Sequence, residues 1–503
     1  MFKTIPALLL LSAATLFGMA PTDSISCWDM CEIALEDSGW SNPFKDVRLD
    51  GVFTAPSGTE YRVEGFYDGD GDGGTTGNVF RLRFAPSEEG DWTWRTESNR
   101  EALNGISGRF AVSVDGNRGP LRYDPALPHW LHWADGSVFF EAGAGDPECF
   151  LANAFITQQQ RYKGIDYLAQ RGVTSLYMGV VNAGPGDGTP EMKVTPWTGG
   201  FDKPNFDDIC LDFMNRLDGV VRRLAKNGMV AHIVLYLDDC CEISNAITGE
   251  QEEMLIRYLC ARFGSYCGVV WNLAEEYEEC FTDDWCRSRA AMFRKYDPLG
   301  HPVTVHQLTN DKFTFAGDTV FTTTAMQFNW TAPDSLNTMI RGLRAQTAGA
   351  GHPLPATLTE WTPIGPSETE TARKGMWSIA LGGGSFQVFN KDDDGQMTAE
   401  FQLWHKIWQF AYIVRHTMEA LPLDDMVPDN SLVTSGFCLA QPGRHYLVYL
   451  PDGGDVTITV DGTGLTARWL NPRTGREKKA GEVAAGQVSF SAPEEGDWAL
   501  LIE

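Results

Sequence analysis

Residues 268–276 read Gly268-Val269-Val270-Trp271-Asn272-Leu273-Ala274-Glu275-Glu276, and residues 356–361 read Ala356-Thr357-Leu358-Thr359-Glu360-Trp361. Each is a short apolar run that ends in acid. A run without polar alternation reads as a strand buried on both faces, the signature of a parallel sheet covered by crossover helices. Six further runs of this kind can be found, giving eight strand candidates at 138–142, 175–181, 230–237, 268–273, 302–307, 320–327, 356–360 and 385–389. Helical patterns fill most of the intervals, for example 206–226 and 372–381, although the fifth-to-sixth connection carries no clear helix. Eight strand–helix units over roughly 290 residues predict a (β/α)₈ TIM barrel across 126–420, with loop insertions.

Outward from this centre the rhythm changes on both sides. Between 21 and 125, runs such as Tyr61-Arg62-Val63-Glu64-Gly65-Phe66 and Val79-Phe80-Arg81-Leu82-Arg83-Phe84 are separated by Gly, Asp, Pro and Ser turns. Short strands with one wet face predict an antiparallel β-sandwich. From 421 to 503 strand-like runs return in Tyr446–Leu450, Val456–Val460 and Trp498–Ile502, and a second, smaller sandwich is expected. The expected architecture is therefore multidomain: a barrel flanked by two β-sandwiches.

The first 20 residues combine a basic start, Lys3, with an apolar run from Ile5 to Met19 and small residues near Ala20. That pattern reads as a signal peptide and is too short for a stable membrane span, so an exported protein is expected. A lipid anchor on Cys27 fits poorly, since no leucine stands three residues before it. Export permits disulfides among the 11 cysteines, and the odd number leaves at least one without an internal partner. Cys260/Cys267 and Cys280/Cys286 are close enough in sequence to pair, and Cys240-Cys241 falls in a barrel loop. The net charge of −27 disfavours nucleic acid and anionic membrane as partners. No Cys-x-x-Cys, His-Glu-x-x-His or Gly-x-Ser-x-Gly motif occurs, so neither a metal ligand set, a cofactor nor a protease centre is expected. Oligomeric state is open.

Barrel chemistry sits at the C-terminal ends of strands. Acids at the ends of the fourth and seventh strands suit glycosidic bond cleavage. One carboxylic acid protonates the leaving oxygen, and the other attacks the anomeric carbon or activates water. A single strand-end acid is more often a helix cap or a loop ion pair; two on these strands shift the balance. Glu276 and Glu360 are the candidate catalytic pair. A carbohydrate-binding protein on a catalytically silent barrel is the rival reading.

Trp271-Asn272-Leu273-Ala274-Glu275-Glu276-Tyr277-Glu278 resembles the Trp-Ser-Leu-Ala-Asn-Glu-Tyr-Asp motif of apiosidase-like barrels, relatives of glycoside hydrolase clan A. The resemblance implies a retaining hydrolase, with the general acid/base at Glu276 and the nucleophile at Glu360. Glu275 replaces an asparagine that in such barrels helps hold the sugar's 2-hydroxyl, which leaves the choice between Glu275 and Glu276 open. The likeness extends to the flanks. Asn42-Pro43-Phe44, Gly65-Phe66-Tyr67-Asp68-Gly69-Asp70 and Gly90-Asp91-Trp92-Thr93-Trp94 are similar to an N-terminal sandwich of unknown function. Trp469-Leu470-Asn471-Pro472-Arg473-Thr474-Gly475 and Gly496-Asp497-Trp498 resemble a small module that carries a collagen-binding label, for which bracing the barrel is the more economical role.

Further strand-end residues are candidate sugar contacts: Asn182, His306, Gln327 and Glu275 as hydrogen-bonding groups, and Tyr236, Trp330 and Trp361 as stacking platforms. Each has a plain structural alternative as a satisfied core or loop residue. Asp68-x-Asp70-x-Asp72-Gly73 has calcium-loop spacing, but the twelfth position is Val79, and a solvated acidic turn is the favoured reading. Asp392-Asp393-Asp394 follows the eighth strand and is placed near the mouth.

Overall fold

The computed structural model describes residues 25–114, 116–145, 150–182, 194–238, 240–308, 312–328, 331–361, 365–390 and 400–503. The expected signal peptide, Cys149, Trp330 and Asp392–Asp394 lie outside the described residues.

Eight parallel strands close into a barrel. They are β1 (Ala142–Gly145), β2 (Ser175–Val181), β3 (Val230–Tyr236), β4 (Val269–Ala274), β5 (Val303–Thr304 continuing as His306–Gln307), β6 (Ala325–Phe328), β7 (Ala356–Trp361) and β8 (Gly384–Phe389). The ring closes where β8 pairs with β1, from Ala142↔Phe386 to Gly145↔Phe389. On the far side β5 changes partner in mid-strand: Val303–Thr304 pairs with β4 and His306–Gln307 with β6. β2, β3 and β4 are buried at every position, as their unbroken apolar runs require.

The helices cover the outside. Leu211–Lys226 buries Leu211, Met214, Leu217, Val221 and Leu224, the three-to-four spacing of one helix face. Gln158–Gln170 and Gly249–Phe263 both open with capping boxes, Thr157 with Gln160 and Thr248 with Gln251. Among the described residues no helix joins β5 to β6. None is long and apolar enough to cross a membrane.

Two strand expectations shift. The run at 138–142 is not the first barrel strand. Val138–Phe139 joins Leu131–Trp133 and Leu121–Tyr123 in a small sheet, whose side chains pack against Val230 and Val270 at the entrance of β3 and β4. That sheet plugs the barrel floor. The true β1 is Ala-Gly-Ala-Gly, because the interior is crowded there: a Cβ at Gly143 would lie 2.3 Å from Ser175 Oγ, and one at Gly145 2.7 Å from the Phe389 ring. Likewise 320–324 is not strand, and β6 is the shorter Ala325–Phe328.

The N-terminal sandwich packs a five-stranded sheet on a three-stranded one. Its core holds Phe53 stacked on Phe84 at 4.3 Å, with Trp92 and Phe110 beside them. The alternation of Val79–Phe84 sends Arg83 to the opposite face, where it is buried against the barrel helices. It pairs with Asp218 at 2.7 Å and donates to the carbonyl of Arg262 at 2.7 Å. Arg262 and the Tyr266 hydroxyl reach the same carboxylate. Burial alone would raise the Asp218 carboxyl, but Arg83 and Arg262 hold it down at about 2. Asp68 belongs to this junction too, bound by Arg81 and by Arg262 at 3.1 Å, while Asp70 Oδ1 accepts the backbone N–H of Asp72 and Gly74. The Asp-Gly-Asp-Gly stretch is thus a self-capped turn at a domain seam.

The C-terminal sandwich sets a six-stranded sheet against a two-stranded antiparallel sheet, Asp455–Val460 with Gly486–Ser491. Against the barrel it places Asp497, fully buried, in a bidentate pair with Arg373 at 2.9 Å. The Tyr449 hydroxyl donates to the same carboxylate, and the Tyr449 ring stacks on Trp377.

The cysteine expectations need correcting. Cys241 pairs with Cys280, across 39 residues, while Cys260, Cys267 and Cys286 are free thiols. Cys260 and Cys286 each point from a helix into the core, and so face away from a neighbour in sequence.

Candidate active site

The exit of β4 decides the site. The Glu275 amide still donates to the Tyr236 carbonyl at 2.9 Å, continuing the strand ladder. Glu276 then adopts φ 42° and ψ 50°, a left-handed backbone that non-glycine residues avoid and that costs on the order of 1–3 kcal/mol. The reversal sends two consecutive acids in different directions. Glu275 is buried (4% exposed), and Glu276 is half-buried. Beyond them a short turn, Tyr277–Glu279, leads to Cys280, whose disulfide to Cys241 ties the loop after β4 to the loop after β3.

Glu275 turns towards the end of β7. One oxygen each of Glu275 and Glu360 and one ring nitrogen of His306 lie within 4.8 Å of one another. His306 Nε2 is 3.8 Å from Glu360, and its Nδ1 is 3.8 Å from Glu275. All three residues are buried. Burial, with the charge of His232, lowers His306 to about 3, so the imidazole is neutral at ordinary pH. The Tyr177 hydroxyl hydrogen-bonds His306 Nδ1 at 2.9 Å; burial and then the charges of Glu275 and Glu360 push its ionisation well above the usual range.

Glu276 turns towards β6. Gln327 Nε2 donates to its Oε1 at 2.6 Å. Gln327 pairs in register with Glu360, so the residue holding Glu276 is the lateral neighbour of Glu360. Asp238 and Glu279 gather around Glu276 within 4.8 Å. The mouth thus offers two sets of oxygen and nitrogen atoms able to meet a cation or a polyhydroxyl ligand.

Below the acids runs a ladder of buried polar groups that the sequence reading passed over. Glu141 accepts from Ser175 Oγ and Gln387 Nε2, each at 2.6 Å. Gln387 meets His232 at 3.0 Å, and His232 meets Asn272 at 3.2 Å. Asn272 Oδ1 accepts the His306 amide at 3.0 Å. The signal was available: polar residues inside strands otherwise apolar on both faces need partners, and such partners come from neighbouring strands.

Of the remaining candidates, Gln327 and His306 stand in the site. Asn182 is buried just beyond β2, bridged through its backbone to Val194. Tyr236 is not a sugar platform: its ring packs outward on Phe281 and Trp285, with Glu252 beside its hydroxyl. Nor is Trp361, which is fully buried against Gly375, where a Cβ would come within 2.0 Å of the indole. Strand alternation explains Trp361, since Glu360 faces inward and its successor must face out.

Comparison with known proteins agrees with this architecture. Residues 24–99 match a family described as "Domain of unknown function (DUF5060)", and residues 421–503 one described as "Putative collagen-binding domain of a collagenase". No curated protein matches the chain in sequence. Among solved structures, a "putative glycoside hydrolase" from Bacteroides vulgatus ATCC 8482 is 19% identical with a TM-score of 0.76, over 95% of this chain and 99% of that one. A glycoside hydrolase of family 5 from the same organism is 15% identical with a TM-score of 0.64, over 76% and 93% of the two chains. At these identities the likeness concerns the fold, which is the barrel with its flanking sandwiches.

Proposed function

We propose that this chain is an exported glycoside hydrolase that cleaves a poly- or oligosaccharide by a retaining mechanism, on an apiosidase-like barrel. The observation that carries the reading is the placing of Glu276 on Gln327, in-register neighbour of Glu360, at the C-terminal mouth. Two carboxyl groups from β4 and β7 thereby serve one opening. Glu360, buried and close to a neutral imidazole, is suited to attack the anomeric carbon. Glu276, nearer to solvent, is suited to protonate the leaving oxygen and then to activate the water that releases the sugar. Glu275, as buried as Glu360 and turned towards it, is assigned to sugar contact. The Cys241–Cys280 disulfide fits an oxidising compartment, and the C-terminal sandwich is read as a brace.

The test is turnover of aryl glycosides and oligosaccharides by Glu360→Gln and Glu276→Gln. The first is expected to abolish hydrolysis with an unchanged melting curve. The second is expected to spare substrates whose leaving group needs no proton. Near-normal activity in Glu360→Gln would overturn the assignment.

One observation favours the rival. Two buried carboxylates as near as Glu275 and Glu360 cannot both ionise cheaply, and a protonated Glu360 would not attack. A carbohydrate-binding protein would hold an oligosaccharide without cleaving it, equally well in Glu360→Gln.

A further inference from the structure

Glu275 brings a second carboxylate to the sugar floor. One oxygen each of Glu275 and Glu360 and a ring nitrogen of His306 converge within a 4.8 Å span, and all three residues are buried. The Tyr177 hydroxyl hydrogen-bonds His306 Nδ1 at 2.9 Å. His306 Nε2 has no hydrogen-bond partner and faces Glu360 at 3.8 Å. A carboxylate can only accept hydrogen bonds, and a hydroxyl group supplies one donor to two of them, whereas an ammonium group supplies three and a positive charge.

We propose that Glu275 sets the substrate class: the sugar cleaved carries a free amino group, as its ammonium, on the carbon next to the one attacked. The inference rests on Glu360 being the nucleophile. When its oxygen stands about 3–3.5 Å from the anomeric carbon, the substituent one carbon further on lies within reach of a carboxylate as close to Glu360 as Glu275 is. Bridging both carboxylates, the ammonium lets Glu360 stay ionised beside a second negative charge. The spacing suits hydrogen bonds better than a small metal ion. Bonds of about 2.0–2.2 Å hold neighbouring tetrahedral ligands about 3.3–3.6 Å apart, less than the 3.8 Å between His306 Nε2 and Glu360.

The experiment compares 4-nitrophenyl 2-amino-2-deoxyglycosides with their 2-hydroxy counterparts, in gluco, galacto and manno configuration and both anomers, below the pKa of the amine. The full chain is expected to prefer an amino glycoside in kcat/KM by on the order of tenfold to a hundredfold. Glu275→Gln and Glu275→Asn, checked for an unchanged melting curve, are expected to lose or invert that preference. Equal or faster cleavage of the neutral glycoside, with a ratio unmoved by Glu275→Gln, overturns the proposal. If nothing is cleaved, the hydrolase reading fails separately, and calorimetry of glucosamine, galactosamine and mannosamine against glucose, galactose and mannose decides. Tighter binding of an amino sugar that vanishes in Glu275→Gln upholds the subsite, and equal binding overturns it. Stoichiometric zinc or manganese binding that is lost in Glu275→Gln, without any amino preference, also overturns it and makes the cluster a metal site.

Discussion

Gln327 Nε2 lies 2.6 Å from Glu276 Oε1, and Gln327 is paired in register with Glu360. One amide on β6 thereby fixes the distance from the β4 acid to the β7 acid. Misplacing a reacting group by about 1 Å can cost about a hundredfold in rate. Gln327→Ala is expected to lower kcat by one to two orders of magnitude, with little change in KM or melting temperature. Steady-state kinetics with a fully resolved KM checks this. A pure KM effect would make Gln327 a sugar ligand rather than a positioning group for Glu276.

Tyr177 offers a second test of the site's wiring. Its hydroxyl hydrogen-bonds His306 Nδ1 in the field of Glu275 and Glu360, so Tyr177→Phe removes that bond while keeping the ring that packs on His232. Activity is expected to fall about tenfold or more, with the fold intact by circular dichroism. Because His306 titrates at about 3, its contribution is as a neutral group throughout the range where activity is measured. The pH–rate profile should therefore carry no imidazole limb between about pH 5 and 8. A limb there that disappears in His306→Asn would contradict the assignment.

The Cys241–Cys280 bridge clamps the loop that carries Glu276. Closing a chain segment of this length is worth roughly 2–4 kcal/mol in the unfolded-state entropy picture. Reduction, or the double substitution Cys241→Ser with Cys280→Ser, is expected to lower the denaturation midpoint accordingly. It should also reduce kcat more than a remote destabilisation of the same size would. Denaturant titrations with and without reductant, beside kinetics at a temperature where both forms are folded, separate the two effects.

The barrel was legible because parallel strands buried on both faces leave unbroken apolar runs, and Gly268–Ala274 and Ala356–Thr359 show this directly. β1 was not, because Ala142–Gly145 is built from the residues that normally interrupt strands; the space beside Ser175 and Phe389 demands them. Glu276 and Glu360 could be chosen from their strand-end positions. That Glu275 would face Glu360 could not, because it depends on the left-handed turn at Glu276, which no side-chain preference announces. Tyr236 misled for a related reason. At the end of β3 the alternation breaks, so that Leu237 joins Tyr177 and Phe389 inside the barrel while Tyr236 turns to Trp285. The Cys241–Cys280 pair joins two neighbouring strand exits, a proximity set by barrel closure rather than by sequence distance.

The seam between the N-terminal sandwich and the barrel should show in the acid stability of the whole chain. Asp218 is held at about 2 in the fold, against about 3.9 in an unfolded chain. A carboxyl depressed in this way stabilises the fold above about pH 4, and its contribution fades as pH falls from about 4 to about 2. The amount is about 2–3 kcal/mol. Asp218→Asn should flatten stability over that interval. Arg83→Met should cost more, about 3–5 kcal/mol near neutral pH, because it strips a buried carboxylate of its nearest cation. Urea titrations across the acid range test both.

The C-terminal module can be tested as a brace through Asp497. Its carboxylate is fully buried and satisfies Arg373 from the barrel helix Thr369–Leu381, together with the Tyr449 hydroxyl. That helix follows β7, the strand that bears Glu360, and leads into β8. Asp497→Ala would leave the Arg373 guanidinium buried without its partner, at a cost of about 3–5 kcal/mol. If the module braces the barrel, this one substitution outside the barrel should lower the melting temperature of barrel and sandwich as a single transition. Differential scanning calorimetry reads the outcome directly. Two separate transitions, with only the smaller one displaced, would mean that the sandwich hangs from the barrel without supporting it. In that case a binding role for the module would need to be sought, beginning with a collagen pull-down of the intact chain.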